Sequence, residues 1–239
     1  MNSELREAIP DPDPDKSALA DFGLAALAAF VPGGGAISDL ARGSMARRDS
    51  ERRKEFDLLV VAKLEEFAAA HSGITPTDVL DSDEFMAAYA KASRIAGETS
   101  SQSKRALLAT ALTHCGPWDF SSEPVLRMRF LDIIERSEEQ HVFLLKFLAD
   151  PMSWITANQP GFFRTNFALL TLQTVVSNVV MPTTTDGMTL QAILRDISSD
   201  GLAEFNLSAG MTLEGVLAPK TTALGNAFLA FLGQTPKAE

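Results

Sequence analysis

Two short patterns in this chain contain residue types that could support catalysis or bind a metal. Glu138-x-x-His141 has the i, i+3 spacing with which the helices of di-iron bundles supply ligands. Such a site needs a second copy, but neither His71 nor His114 follows a glutamate by three positions. His114 and Cys115 are a potential base and nucleophile, yet adjacent helical residues do not face each other. We therefore predict no metal, no cofactor and no catalytic residue.

Two other segments have some features of ligand-binding loops. The acidic cluster at 78–84 lacks the glycine and the glutamate that a calcium loop needs at its sixth and twelfth positions, so helix capping and solvation explain it. Pro32-Gly-Gly-Gly35 precedes a predicted helix, whose first amides could hold an anion. No Gly-Lys-Ser/Thr follows it, as a P-loop would require. We favour a hinge at this position.

A basic segment is the main candidate for binding a partner. Residues 42–54 contain six bases and two acids, a net charge of +4, in a chain whose net charge is −10. The bases are Arg42, Arg47, Arg48, Arg52, Arg53 and Lys54. A solvated helix face with local ion pairs is the simplest interpretation. The functional interpretation is docking on an acidic protein partner or on the acidic body of the protein itself.

An apolar helix is predicted just before the basic segment, over residues 18–31. Its large apolar residues are Phe22, Leu24, Leu27 and Phe30. The helix is too short to cross about 30 Å of hydrocarbon. A short apolar helix followed by a basic face can lie on an anionic membrane surface, which makes peripheral membrane contact an alternative to protein docking.

Composition restricts the function further. The chain has 239 residues, of which 46% are hydrophobic, enough for a packed core. Its acidity disfavours nucleic acid as a partner, because Lys and Arg supply most non-specific affinity for phosphates. The single cysteine excludes an intrachain disulfide. The acidic N-terminus lacks the positive start of a secretory signal, so we expect a cytoplasmic protein. The composition alone indicates a bacterial type.

Apolar periodicity and capping residues predict a series of helices. Ser137 is expected to cap one of them, and Asp81 with Glu84 to form a capping box on another. A β-hairpin is expected at 203–220, where Gly210, Gly215 and Pro219 punctuate the chain. The predicted helices after the apolar one cover residues 36–70, 81–97, 101–114, 124–136, 138–150, 167–180, 190–199 and 222–232.

The order of the last elements is typical of a winged helix: a helix, Gly201-Leu202, a hairpin and a capped closing helix. The predicted fold is therefore all-α dominated, a multi-helix bundle with a C-terminal winged-helix-like module that contains a short β-hairpin. We expect a disordered acidic tail at 1–16, a helical domain at 17–136 and the winged-helix-like domain at 137–239. The last domain has five bases and nine acids, which favours a protein-binding or structural role over DNA reading.

Two stretches resemble helical bacterial proteins of the abortive-infection alpha type: Ser137-Glu-Glu-Gln-His-Val-Phe-Leu-Leu145 and Thr222-Ala-Leu-Gly225-Asn-Ala-Phe228. The resemblance implies a role in phage defence without a known active site. Our prediction is a non-enzymatic regulatory or protein-interaction protein. The alternatives are an effector that acts at the membrane surface and a winged-helix DNA-binding regulator. Oligomeric state stays open.

Overall fold

The computed structural model describes residues 39–70, 75, 78–79, 81–118, 123–164, 170–181 and 186–234. Within these ranges it has ten α-helices and no β-strand, in agreement with the predicted helix-rich fold. The acidic tail, the Pro32–Gly35 hinge and the apolar helix with Phe22, Leu24, Leu27 and Phe30 lie outside the described residues. None of the helices in the described part is long and apolar enough to cross a membrane.

The chain forms two compact units that divide between Glu135 and Arg136. The helices up to this division are α1 (Asp39–Ala70), α2 (Asp83–Glu98), α3 (Gln102–Leu112) and α4 (Pro124–Arg136). The helices after it are α5 (Glu139–Ala149), α6 (Pro151–Asn158), α7 (Leu172–Val175), α8 (Gly187–Ser199), α9 (Leu213–Leu217) and α10 (Ala223–Phe231). Two irregular turns complete the second unit, a 3₁₀ turn at Phe162–Arg164 and a π-helical turn at Val176–Val180 that continues α7.

The first unit is built around α1, which packs against both α2 and α3. Phe56 and Val60 of α1 are buried, whereas Leu59, Leu64 and Phe67 are only partly buried. The N-cap of α2 is Ser82, whose hydroxyl accepts a hydrogen bond from the Phe85 amide at 3.2 Å; the predicted capping box at Asp81 is wrong. The reason is that a hydroxyl serves as N-cap as well as a carboxylate does.

The second unit has an apolar core in which α5 packs against α8 and α10. Both α8 and α10 begin at a side-chain cap: Asp186 accepts from two amides of α8, and Thr222 accepts from the Gly225 amide of α10 at 3.0 Å. The N-cap of α5 is Glu138 instead of the predicted Ser137, which is buried. These caps satisfy amides that have no partner within their own helix.

In the second unit the backbone at Gly201 and Leu202 packs closely against the start of α10. Gly201 has a φ of +73°, a conformation that favours glycine, and Thr222 Oγ1 donates to its carbonyl at 2.7 Å. The Thr222 amide donates to the Leu202 carbonyl at 3.0 Å. A Cβ atom at Gly225 would lie 1.9 Å from that same carbonyl oxygen, so only glycine fits there.

Residues 203–220 differ from the predicted β-hairpin. They contain α9, capped by Thr212, and take part only in isolated bridges, Ala203 with Thr221 and Leu170 with Met211. The hairpin is therefore not confirmed, and neither is the winged helix that depends on it. The physical reason is that Thr212 can cap a helix as readily as it can enter a strand. The predicted helix at 167–180 is also shorter in the described residues, where α7 begins at Leu172.

Candidate interaction site

The basic segment of α1 lies beside the carboxyl end of α2. Arg52 Nη1 donates to the Gly97 carbonyl at 3.1 Å, and Arg105 Nη1 of α3 donates to the Thr99 carbonyl at 3.1 Å. The last carbonyls of a helix lack internal partners and carry the negative end of its dipole. Guanidinium groups of α1 and α3 thus donate hydrogen bonds to backbone carbonyls at the carboxyl end of α2.

Arg53 packs directly on Gly97. A Cβ atom at position 97 would lie 2.9 Å from Arg53 Nε, which is closer than normal van der Waals contact. The absence of a side chain at this glycine makes room for the arginine. Arg53 Nε is buried without a hydrogen-bond partner, so its guanidinium contributes here through packing and through its charge.

Arg105 forms a largely buried ion pair with α1. Its side chain is only 7% exposed, and Nη2 donates to Glu55 Oε2 of α1 at 2.9 Å, whereas the Glu55 side chain is 42% exposed. A second arginine, Arg127 of α4, donates to Glu84 Oε2 at 3.2 Å and to the Gly116 carbonyl at 2.9 Å. Each guanidinium bonds both a carboxylate and a backbone carbonyl, and in this way it fixes one element against another.

Asp57 and Tyr89 form a further polar contact between α1 and α2. The Tyr89 hydroxyl donates to Asp57 Oδ1 at 2.5 Å. Burial raises the pKa of Asp57, although the bond from Tyr89 and the charge of Arg53 both oppose that rise. Burial and the neighbouring Asp57 carboxylate raise the pKa of Tyr89, so this phenol stays protonated and acts as a donor.

The six predicted docking bases therefore separate into groups. Arg52 and Arg53 are half-buried and contact α2, whereas Arg48 and Lys54 are exposed. The side chains of Arg42 and Arg47 lie outside the described residues. Leu58, which we did not predict as part of the site, follows Lys54 by four positions and is 65% exposed. The structure thus leaves two of the four described bases available to a partner.

Two residue pairs were considered in the sequence for metal binding or catalysis, Glu138 with His141 and His114 with Cys115. In the structure the two histidines and the cysteine contact neighbouring backbone groups or an aromatic ring. His141 Nδ1 accepts a hydrogen bond from the Glu138 amide at 3.0 Å. The His114 ring lies edge-on to Phe67, with ring centroids 5.7 Å apart, and the Cys115 thiol is buried and bonds the Ala111 carbonyl at 3.3 Å. No three His, Cys, Asp or Glu residues in the described ranges are arranged to hold a metal ion.

Sequence reasoning missed Glu55, Asp57, Tyr89 and Arg105. A signal was present in the sequence, because Arg53, Asp57 and Val60 follow one another at helical spacing and so share a face with buried Phe56. Charged residues that share a face with core residues indicate internal ion pairs as readily as they indicate a solvated surface.

Comparison with known proteins gives no relative: no protein family, no curated protein and no solved structure matches this chain. The resemblance to abortive-infection alpha proteins therefore stays a prediction.

Proposed function

We propose that this is a non-enzymatic regulatory protein that acts by binding another protein, in the phage-defence setting that the sequence resemblance implies. The supporting observation is the exposed side of α1. Arg48, Glu51, Lys54 and Leu58 follow one another at spacings of three and four and are all exposed. We call these four residues the α1 stripe.

The α1 stripe has the composition of a small docking surface. The apolar side chain of Leu58 at its carboxyl end supplies area that is removed from water, and the charges that precede it favour one orientation of the partner. Because the half-buried Arg52 and Arg53 contact α2, they hold the stripe on a supported helix. The proposed partner is a protein surface with an apolar pocket bordered by acidic residues, which would meet Leu58, Arg48 and Lys54 together.

Site-specific crosslinking tests this proposal. A photo-crosslinking amino acid at position 58 of the full chain should label a defined partner in extracts of the cells that encode the protein. Charge reversal at Arg48→Glu and Lys54→Glu should reduce that labelling about tenfold, since each lost charge contact contributes about 1 kcal/mol or less. The matched control reverses two bases of the second unit, Arg195→Glu and Lys146→Glu, and should leave the labelling unchanged. Equal labelling in both double variants would contradict the proposal.

The membrane alternative combines the α1 stripe with the apolar segment at 18–31. Cosedimentation with anionic vesicles at low salt separates it from protein docking, because electrostatic binding to lipid weakens as salt increases. Binding that depends on Phe22 and Leu27 would favour the membrane, and no cosedimentation would remove this alternative.

The DNA-binding alternative requires the second unit to act as a winged helix. The helix that would enter the groove, α8, contains Arg195 and Asp196 and is followed by Asp200, a poor charge balance for contacts with phosphates. A duplex-binding assay over a range of salt concentrations tests it, and a steep loss of affinity with salt would restore this function.

A further inference from the structure

A histidine in the first turn of α5 has one nitrogen on the backbone and the other near a carboxylate. His141 Nδ1 lies 3.0 Å from the Glu138 amide nitrogen, and His141 Nε2 lies 3.5 Å from Asp196 Oδ2 of α8. The His141 side chain is 14% exposed, whereas the Asp196 side chain is 58% exposed. This arrangement indicates which of the two ring nitrogens carries hydrogen when the imidazole is neutral.

The backbone contact determines the tautomer. A backbone N–H can only donate, so Nδ1 must present its lone pair to Glu138, and the proton of the neutral ring is on Nε2. The distance of 3.5 Å from Nε2 to Asp196 is too long for a strong hydrogen bond. In the neutral state, therefore, the main contact of the ring is the helix cap, and its contact with Asp196 is weak.

A second proton reverses this preference. When both nitrogens carry hydrogen, Nδ1–H opposes the Glu138 N–H and the cap can no longer form. The first turn of a helix is also the positive end of its dipole, which repels an imidazolium. Asp196 attracts the same charge, so protonation favours a shorter contact with α8 over the cap.

The charged groups around His141 support an exchange between only these two contacts. The α8 side presents Arg195, Asp196 and Asp200, and Asp200 is already paired with Arg136. Two other helices that pack on α5, namely α6 and α10, contain no ionisable side chain, and the Lys220 amide donates to the Leu148 carbonyl near the other end of α5. On α5 itself, Glu139 and Lys146 are the remaining ionisable side chains, and Glu138 adjoins them as the N-cap.

We propose that His141 is a pH-operated latch on α5: as neutral imidazole it caps the helix at Glu138, and as imidazolium it leaves the cap and pairs with Asp196. Protonation of the imidazole ring is the trigger, so acidification is the condition under which the latch is tested. The consequence is a first turn of α5 that loosens in acid while the contact between α5 and α8 tightens. The latch does not depend on the α1 stripe, which lies in the other unit.

Nuclear magnetic resonance of the full-length, isotope-labelled protein tests the latch from pH 8 to pH 5. At pH 8 we expect Nδ1 of His141 to be unprotonated and Nε2 to carry hydrogen. On protonation the exchange protection of the Glu138 amide should fall about fivefold, the factor that corresponds to one net hydrogen bond. A protonated Nδ1 at pH 8, or equal protection at the two pH values, would overturn the proposal.

Two variants separate the latch from a general effect of acid. His141→Gln keeps an acceptor for the Glu138 amide at every pH, as glutamine does in a capping box, so the protection should stay constant. Asp196→Asn removes the partner of the imidazolium, so the protection should persist to lower pH than in the unmodified protein. If His141→Gln loses protection as the unmodified protein does, the latch is wrong. Should either variant fail to fold, the nitrogen shifts of the unmodified protein alone decide.

Discussion

The two units accommodate polar groups in their interiors by different means. The first unit buries three long cationic side chains, Lys104, Arg105 and Arg127, and each of them reaches a backbone carbonyl at the end of a helix or turn. In the described part of the second unit, Ser137 is the one buried polar residue, and hydroxyl or carboxylate caps begin α8, α9 and α10. Side-chain caps begin helices in both units, but the first unit also uses buried cationic partners between helices, whereas the second relies on a close backbone fit at Gly225.

The largest effect on stability is expected at the close contact between Gly225 and the Leu202 carbonyl in the second unit. Gly225→Ala places a Cβ atom 1.9 Å from the Leu202 carbonyl oxygen, and backbone cannot move aside as a side chain can. We expect a loss of about 3 kcal/mol in the free energy of unfolding, at the upper end for overpacking. Urea denaturation measures it.

Gly187→Ala is the matched control, because nothing lies within 4 Å of its added Cβ. Its effect should stay within about 0.5 kcal/mol. Similar losses of unfolding free energy in Gly225→Ala and Gly187→Ala would show that Gly225 is not in close contact with the Leu202 carbonyl.

The next effect tests the charge partners of the first unit. Arg105→Met keeps an apolar stem of similar length but leaves Glu55 and the Thr99 carbonyl without their donor. We expect a loss of about 2 kcal/mol, less than for a fully buried ion pair because Glu55 is partly solvated. Arg48→Met, on the exposed side of the same bundle, should change the free energy of unfolding by less than about 0.5 kcal/mol. A loss no larger than in this control would show that the first unit does not depend on its buried arginine.

The smallest expected effect concerns how the free energy of unfolding depends on pH. The contributions of Asp57 in the first unit and Asp186 in the second should change with pH in opposite directions. Burial raises the pKa of Asp57 in the first unit above its ordinary value of 3.8. Its contribution to stability is then complete below pH 3.8 and is lost as the pH rises through the folded-state pKa. Asp57→Asn cannot ionise, so its stability relative to the unmodified protein should increase from pH 4 to pH 7.

Asp186 of the second unit should behave in the opposite way. Hydrogen bonds from Thr189 and Met188 lower its pKa below 3.8, so its contribution is complete above pH 3.8 and is lost as the pH falls through the lower folded-state value. Asp186→Asn keeps an acceptor for the two amides, and its stability relative to the unmodified protein should increase on acidification below pH 4. Denaturation curves of both variants over pH 2 to 7 check the pair, and slopes of the same sign would refute the contrast.

Most helices could be predicted from the sequence because local signals specify them. The predicted bounds of α2, α3, α4 and α8 agree with the structure to within a few residues, where apolar periodicity and flanking caps coincide. Residues 203–220 could not be predicted in this way, since Thr212 and the nearby glycines are equally compatible with a turn, a strand end or a helix start. The π-helical turn after α7 has no local sequence signal that we recognise.

The candidate site was predicted only in part for a different reason. Arg52, Arg53, Arg48 and Lys54 are equivalent in a charge count, and the helix alone does not show which of them face a neighbour. That depends on where the end of α2 lies, which is a property of tertiary packing. The contact between the Glu138 amide and His141 Nδ1 was not predicted either, because we placed the cap of this helix at Ser137 from the sequence.

The contact between Gly97 and Arg53 has a consequence for how the sequence of this protein can evolve. Since a Cβ atom at position 97 would lie 2.9 Å from Arg53 Nε, a larger residue at position 97 requires the arginine side chain to move or to be replaced. Homologous chains in which alanine or serine replaces the glycine should have a shorter residue in place of the arginine. The two sites would then be inherited as a correlated pair, a signature by which distant homologues could be recognised.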